Sequence, residues 1–336
     1  MFSLAVLSAG LLNGCGGGGG GGGDNGGDGG GNGGGGDGQE DAFPSERIEL
    51  IVPWSAGGGT DQTARQLANA AEESCGTDII VSNQTGSTGA VGFRAAADAN
   101  ADGYTIGVVM VEISMINHLG IADITPDAVK GVLQYNFDPA AISVSSDSEI
   151  KSLDDFVAAI KGDKPVRVST SGTGSIWHIS AAGMAKAAGG KITNVPFDGA
   201  APAIQAVMGG QVEATTASGA EVASQVESGS LTPLATMGEE KIDILPDTPT
   251  LKESDIDWSA GAWRGLAVPS ETPDEVVKTL NDCFKQAYDS DGFQEFMKQN
   301  GFGTVYKPAQ EFETYMDEEF ERFGNVIESL DIKPKQ

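Results

Sequence analysis

Basic residues are scarce in this chain. It has 20 Lys and Arg against 48 Asp and Glu among 336 residues, so its formal net charge at pH 7 is −28. A surface with this charge repels nucleic acid and anionic membranes, which argues against a nucleic-acid partner. The acidic excess is typical of proteins from salt-loving organisms, and an acidic protein from an ordinary habitat is the alternative.

Histidine and cysteine are also rare, with two His and three Cys in the whole chain. His118 and His178 supply little for acid–base catalysis, and the cysteines have no neighbouring histidine with which to form a zinc site. If Cys15 is lipidated, Cys75 and Cys283 remain, either as a disulfide or as two separate buried thiols. We expect no metal and no cofactor.

Long apolar runs are absent, since no segment reaches the ~20 apolar residues that a transmembrane helix needs. Residues 1–14 are apolar and have the length of a signal-peptide core. They end in LNGC, which looks like a lipobox with Cys15 as the lipidated residue. Residues 15–42 are rich in Gly, Asp and Asn and predict a disordered tether. The sequence therefore predicts an exported protein, tethered by lipid to the outer face of the cytoplasmic membrane.

From residue 43 onward, short β-rich runs alternate with helical patterns, which predicts an α/β fold with mostly parallel strands. Residues 48–52 read as the first strand. The helix after it has one buried face, because its apolar residues recur at i, i+3, i+4 and i+7: Ala64, Leu67, Ala68 and Ala71. Asp61 and Arg65 lie one turn apart on this helix and are expected to pair.

The strand–turn–helix pattern recurs in a second unit. We expect the chain to enter this unit near Ala140 and to return near Trp258, ending in helices over residues 273–330. Domain 1 is then residues 43–140 with 258–336, and domain 2 is residues 141–257.

Strands end in turns of small residues where helices begin, as in SAGGGTD (residues 55–61) and SGTGS (residues 171–175). Such turns present free main-chain N–H groups at the positive end of a helix dipole, where anions bind. They also lie at the carboxyl ends of strands, the usual ligand edge of an α/β sheet. The alternative is that the glycines only allow tight chain reversal. A phosphate site is disfavoured because SAGGGTD lacks the Lys-Ser/Thr of a P-loop.

An enzyme would have to use one of the two histidines. Ser175 and His178 lie three residues apart at a helix start, so they could touch. Neither a nucleophile-elbow motif nor an acidic residue on that helix supports them as a catalytic pair. We expect a binding protein, with a Ser/His hydrolase as the alternative.

Six segments together resemble the Bug/TctC family, the extracytoplasmic solute receptors of tripartite tricarboxylate transporters. They are IELIVPWSAGGGTDQTAR, GSTGAVGFRAAADANADGYTIG, STSGTGSIWHISAAGMAKAAG, ITNVPFDGAAPAIQAVMGGQVEA, ILPDTPTLKES and WRGLAVPSETP. The resemblance runs from Ile48 to the C-terminus. It implies a type II periplasmic-binding-protein fold, in which two α/β domains enclose a ligand cleft, and no catalysis. It also implies a small organic carboxylate as ligand and the large and small membrane permease subunits as partners. A sensory receptor that reports its ligand to a signalling partner is the alternative.

The resemblance also implies which residues surround the ligand. The first loop would hold a carboxylate by backbone and hydroxyl donors, the second-domain loop would contact the ligand from the other side, and two further turns would flank it. These residues are Trp54, Ser55, Ala56, Gly57, Gly58, Gly59, Thr60, Asp61, Gly86, Ser87, Gly89, Ser169, Thr170, Gly172, Thr173, Gly174, Ser175, His178, Phe197, Asp198 and Gly199. Where family members often have Lys or Arg, this chain has Asp198, which removes a cation from near the site and argues against a tricarboxylate. Because a chain of net charge −28 has to bind an anion, we expect a site built from neutral donors.

Overall fold

The computed structural model of the chain describes residues 43–197, 199–330 and 332. The predicted signal segment, Cys15 and the tether lie outside these residues, and so does Asp198. Among the described helices, none combines the length and the apolar character that a membrane crossing requires.

Ten strands are found in the described part of the chain. They are β1 (Ile48–Val52), β2 (Ile79–Asn83), β3 (Thr105–Met110), β4 (Val129–Ser145), β5 (Val166–Thr170), β6 (Ile192–Pro196), β7 (Ala214–Ser218), β8 (Leu231–Thr236), β9 (Gly261–Pro269) and β10 (Thr304–Pro308).

The helices alternate with these strands over much of the chain. They are α1 (Gly59–Cys75), α2 (Ala90–Ala97), α3 (Leu153–Lys161), α4 (Ile176–Ala187), α5 (Ala200–Met208), α6 (Gly219–Glu227), α7 (Asp274–Asp289), α8 (Asp291–Gln299) and α9 (Ala309–Ser329). Within the described residues there are also short 3₁₀ helices at Ser87–Gly89, Val111–Ser114, Pro126–Ala128 and Lys252–Ser254. The sequence predicts only helices over residues 273–330. The structure instead has strand β10 between α8 and α9.

The strands follow the order β2-β1-β3-β9-β4-β7-β5-β6, with β8 and β10 also paired to β4. Parallel pairing joins β1 to β2 and β3, and β5 to β6 and β7. Each strand pair that includes β4 or β9 is antiparallel. The expectation of mostly parallel strands is therefore wrong. The error arises because these two strands connect the α/β units rather than continuing either βαβ series.

Strand β4 is shared by two sheets, so the fold has two lobes. Its first part pairs with β9 and β10, and its last part pairs with β7 and β8. We call the β1–β2–β3–β9–β10 side lobe 1 and the β5–β8 side lobe 2. The connections between the lobes are hydrogen-bonded to each other: Ala140 N–H donates to Ala260 O, Met237 N–H to Ala140 O, and Ala260 N–H to Met237 O.

The predicted apolar face of α1 is buried against the lobe 1 sheet, and its four apolar residues are fully shielded from solvent. The polar side of α1 carries the expected ion pair between Asp61 and Arg65. Arg65 Nε lies 2.9 Å from Asp61 Oδ1. At the end of α1, Cys75 forms a disulfide with Cys283 of α7. The alternative of two separate thiols is therefore not what the structure shows.

Candidate functional site

A cavity of about 550 Å³ lies where loops from the two lobes face each other, and we call it the cleft. This volume lies within the usual range for small-molecule sites. Its lining comes from both lobes and consists of Trp54, Ser55, Ala56, Gly58, Gly59, Thr60, Thr88, Met110, Glu112, Ser171, Gly172, Thr173, Ser175, Ile176, Trp177, Gly199, Ala200, Glu221, Ala262 and Arg264.

The first loop, between β1 and α1, owes its shape to Gly57 and Asp61. Gly57 has φ +84°, a left-handed conformation that a side chain disfavours. Its N–H donates to Asp61 Oδ2 at 2.8 Å, and Asp61 also accepts from Arg65 and Asn83. Asp61 is buried but does not line the cleft. Its carboxylate therefore holds the loop in place instead of facing the cleft.

The first turn of α1 opens onto the cleft. Gly58 is the N-cap residue in an extended conformation, and Gly59 and Thr60 begin the helix. The first N–H groups of a helix have no acceptor inside it, and they lie at the positive end of its dipole. The main chain at this point therefore has the arrangement in which helix N-termini bind anions. A Cβ added to Gly59 would lie 3.1 Å from the Phe302 ring, so there is little room for a side chain there.

Lobe 2 contributes the first turn of α4. Ser175 is its N-cap: the Ser175 Oγ accepts from His178 N–H at 3.2 Å and donates to Gly172 O at 2.9 Å. The imidazole of His178 accepts from Gly174 N–H through Nδ1 at 3.1 Å. Burial lowers the pKa of His178 to about 4, so the ring is neutral at pH 7. Both side chains thus bond the main chain, which is the arrangement of a capped helix start.

A third helix start, that of α5, also faces the cleft. Gly199 and Ala200 line it, and Gly199 has φ +112°, which favours glycine. Three helix N-termini, one from lobe 1 and two from lobe 2, therefore meet at one cavity.

Arg264 was missed by sequence reasoning, although it lies in the WRG segment. It projects from β9 to the cleft and is only 7% exposed. Arg264 Nη1 lies 2.5 Å from Asp138 Oδ2 and also donates to Asn136, while Arg264 Nε donates to Thr60 Oγ1 at 3.0 Å. Burial opposes the charge, but Asp138, Tyr135 and Glu221 together outweigh it and raise the pKa of Arg264. The lining therefore departs from the neutral-donor expectation.

The cleft also has an apolar wall and two acidic groups. Trp54 lines it and donates Nε1–H to Met110 Sδ, so these two side chains form an apolar wall. Glu112 and Glu221 were not anticipated from the sequence. The signal that could have found Glu112 and Arg264 is a single charged residue inside an apolar run, VVMVEISMI and AGAWRGLAV respectively.

The other predicted site residues lie behind or beside the cleft. Ser169 is fully buried and its Oγ donates to Ala203 O, and Thr170 Oγ1 bonds Asn194 Oδ1. Phe197 packs with an apolar cluster of lobe 2. Thr88 lines the cleft, whereas the predicted residues on either side of it, Ser87 and Gly89, do not. The predicted residues outside the lining are Gly57, Asp61, Gly86, Ser87, Gly89, Ser169, Thr170, Gly174, His178 and Phe197.

The chain matches known sequences over most of its length. Residues 63–332 match the family model of the tripartite tricarboxylate transporter family receptor. A UPF0065 protein from Cupriavidus necator is 30% identical over 304 residues, which covers 89% of this chain and 91% of that protein. Protein BugT from Bordetella pertussis is 26% identical over 307 residues, covering 88% and 92%.

Solved structures agree with the sequence relatives. A TctC solute-binding protein from Polaromonas superposes with a TM-score of 0.76 at 35% identity, covering 85% of this chain and 99% of that chain. An R. palustris protein solved with adipate has a TM-score of 0.77 at 25% identity, covering 87% and 100%. The predicted type II periplasmic-binding-protein fold, with two α/β lobes around a cleft, is confirmed. The chain therefore belongs to the tripartite tricarboxylate transporter receptor family and is a solute-binding protein of that family.

Proposed function

We propose that the chain captures a small organic carboxylate in the cleft and delivers it to the large and small permease subunits of a membrane transporter. The observation that carries this proposal is the meeting of three helix N-termini at one cavity. Each offers unpaired N–H groups and a positive dipole end to a negative ligand. The two lobes can therefore hold a carboxylate from opposite sides.

The size of the cleft and the nature of its walls favour a short dicarboxylate. Donors are found on both sides of the cavity, while Trp54 and Met110 give it an apolar wall. This arrangement suits a ligand with two anionic ends and a carbon chain between them. The relative solved with adipate supports that class.

The remaining parts of the proposal concern organisation and location. We propose residues 43–140 with 258–336 and residues 141–257 as the two domains, which would close about the hydrogen-bonded connections at Ala140 and Ala260. Export, a lipid anchor at Cys15 and a surface adapted to salt are supported by the sequence. We also propose that the chain is not an enzyme, since Ser175 and His178 serve as main-chain partners at a helix start.

A thermal-shift screen in molar salt tests the function. The panel contains adipate, succinate, malate, tartrate, citrate, glutamate, aspartate, nicotinate and benzoate, with uncharged amides as controls. A ligand at about 100 times its dissociation constant stabilises the folded state by about 2.7 kcal/mol, which raises the melting temperature measurably. No shift with any carboxylate, for a folded chain, would overturn the proposal.

The Gly58→Val substitution tests the first loop. A Cβ at Gly58 would lie 3.5 Å from Ser55 O, an ordinary contact, so the fold should tolerate the side chain while it narrows the cleft. The matched control is Gly292→Val at the start of α8, where a Cβ meets nothing within 4 Å. We expect the first variant to lose ligand stabilisation and the control to keep it. Unchanged binding by both would exclude the first loop from the site.

A further inference from the structure

Glu112 occupies an unusual position for an acidic residue in a site for anions. It lies in the 3₁₀ helix Val111–Ser114 that follows β3, and it lines the cleft. The residue is 4% exposed, and within the described part of the chain its Oε2 has no hydrogen-bond partner. A buried carboxylate oxygen without a partner costs free energy unless the group is protonated or a ligand contacts it.

The nearest cation does not neutralise Glu112. Arg264 faces it from β9, but the guanidinium is already paired with Asp138 of β4 and bonded to Thr60 and Asn136. The carboxylate of Asp138 already balances the charge of Arg264, so an ionised Glu112 would add an unbalanced negative charge.

The other elements around Glu112 bring no free cation from the described residues. Glu221 of α6 reaches the cleft from lobe 2 as a second acid, bonded to Ser218 at its helix start. On α9, Glu319 is paired with Arg322, and both line a separate groove. The 3₁₀ helix Ser87–Gly89 contributes the uncharged Thr88.

This environment favours the neutral acid. Burial raises the pKa of Glu112 to about 7, although a hydrogen bond from its own main-chain N–H and the charge of Arg264 offset part of the effect. Near neutrality the side chain therefore changes easily between a carboxylate, which repels an anionic ligand, and a carboxylic acid, which is a strong hydrogen-bond donor.

We propose that Glu112 contacts the ligand as a carboxylic acid, donating its O–H to a carboxylate oxygen of the ligand, and that binding above neutral pH takes up one proton from solvent. This inference rests on the proposed carboxylate-binding function and deepens it. The ligand keeps its negative charge, no covalent bond changes, and the proton moves from solvent to Glu112. The site thereby selects carboxylates over ligands that present an ammonium group to this position.

A proton taken up on binding makes affinity depend on pH. Above the pKa of the free site, the dissociation constant should rise by up to about tenfold for each pH unit. Well below that pKa the acid is already protonated, so the affinity should level off. A ligand whose ammonium group pairs with the Glu112 carboxylate would instead bind more tightly as the pH rises, because ionised Glu112 then becomes more populated.

Titration calorimetry with adipate, succinate and aspartate as separate probes tests the inference on the whole chain. Each titration is run at about pH 6 and pH 8.5, in two buffers with different ionisation enthalpies, so that proton uptake is measured directly. The variants are Glu112→Gln, which keeps a donor but cannot titrate, and the matched control Glu313→Gln on α9. Burial also raises the pKa of Glu313, but this residue lies outside the cleft lining. Thermal unfolding without ligand establishes that each variant is folded.

We expect the wild-type chain to take up close to one proton per dicarboxylate at about pH 8.5 and much less at about pH 6. Glu112→Gln should lose both the proton uptake and the pH dependence of affinity, while Glu313→Gln, outside the cleft, keeps them. Dicarboxylate binding without proton uptake would overturn the inference alone and leave the proposed function intact. Tight aspartate binding that is stronger at high pH and abolished by Glu112→Gln would also overturn it. Failure of all carboxylates to bind would overturn the proposed function and this inference together.

Discussion

Arg264 Nε donates a hydrogen bond to Thr60 Oγ1 at 3.0 Å, across 204 positions of sequence. The bond joins β9 to the first turn of α1, the turn that presents its amides to the cleft. The same guanidinium holds Asp138 on β4, the strand shared by the two sheets. One buried side chain therefore links the first loop to the strand that connects the lobes.

Replacing Arg264 should be costly because its partner stays buried. Arg264→Leu leaves Asp138, 2% exposed, without its cation, and removing one partner of a buried ion pair typically costs about 3–5 kcal/mol. The double variant Arg264→Leu/Asp138→Leu should recover much of that loss, since no buried charge remains. Urea unfolding of the two variants measures the difference. Equal stabilities would show that Asp138 is solvated by some other group when the arginine is absent.

Asp61 should matter to the ligand without touching it. Burial alone would raise its pKa, but hydrogen bonds from Arg65, the Gly57 N–H and Asn83 lower the pKa overall. Its contribution to stability is therefore present above the pKa that it has in the unfolded chain. That contribution is lost as the pH falls through the lowered folded-state value.

Asp61→Asn should accordingly cost about 1–3 kcal/mol at pH 7 and weaken ligand binding by loosening the first loop. Arg65→Ala is the matched comparison, because it removes the more exposed partner of the pair and leaves the bonds from Gly57 and Asn83 to Asp61 in place. An i,i+4 ion pair on a helix is typically worth about 0.3–0.5 kcal/mol. Chemical unfolding with and without adipate separates the two effects. An Asp61→Asn chain with unaltered affinity would show that the loop keeps its shape without this carboxylate.

Local patterns predicted the elements that depend on neighbouring residues. The apolar spacing of α1, the strand β1 and the small-residue turns before α1 and α4 were all visible in the sequence. So was the Asp61–Arg65 pair, since four residues on a helix bring two side chains together.

Long-range contacts could not be predicted in the same way. The directions of β4 and β9 depend on pairing across the whole fold, so the expectation of mostly parallel strands failed. Arg264 and Glu112 reach the cleft only because distant segments pack around them. Their positions inside apolar runs were a signal of burial, but not of what they would face.

The disulfide should stabilise lobe 1 strongly. Cys75 and Cys283 are separated by 208 positions, and a crosslink over so long a segment restricts the unfolded chain. Removing a native disulfide typically costs about 2–5 kcal/mol, so the double variant Cys75→Ala/Cys283→Ala should unfold at lower denaturant concentration. Thiol titration under denaturing conditions with and without reductant checks the bond itself. Two titratable thiols in the absence of reductant would contradict it.

Two groups in or near the cleft should give the ligand-free protein opposite responses to pH. Burial raises the pKa of Glu112 from 4.5 to about 7, so the stability that its neutral form provides is present below pH 4.5 and lost as the pH rises to about 7. Burial lowers the pKa of His178 from 6.5 to about 4. The stability that depends on its neutral ring is therefore present above pH 6.5 and lost as the pH falls to about 4.

Each shift corresponds to a change of about 3 kcal/mol in the free energy of unfolding, at 1.36 kcal/mol per pKa unit. Between about pH 4.5 and 6.5 the two changes have opposite signs, so they largely cancel in the wild-type chain. Single variants should reveal them. Glu112→Gln should gain stability over wild type as the pH rises to 7. His178→Asn, whose amide oxygen can still accept from Gly174 N–H, should gain it as the pH falls to 4. Urea unfolding at each pH measures both differences. A pH-independent difference for either variant would contradict the burial of that group as the cause of its shift.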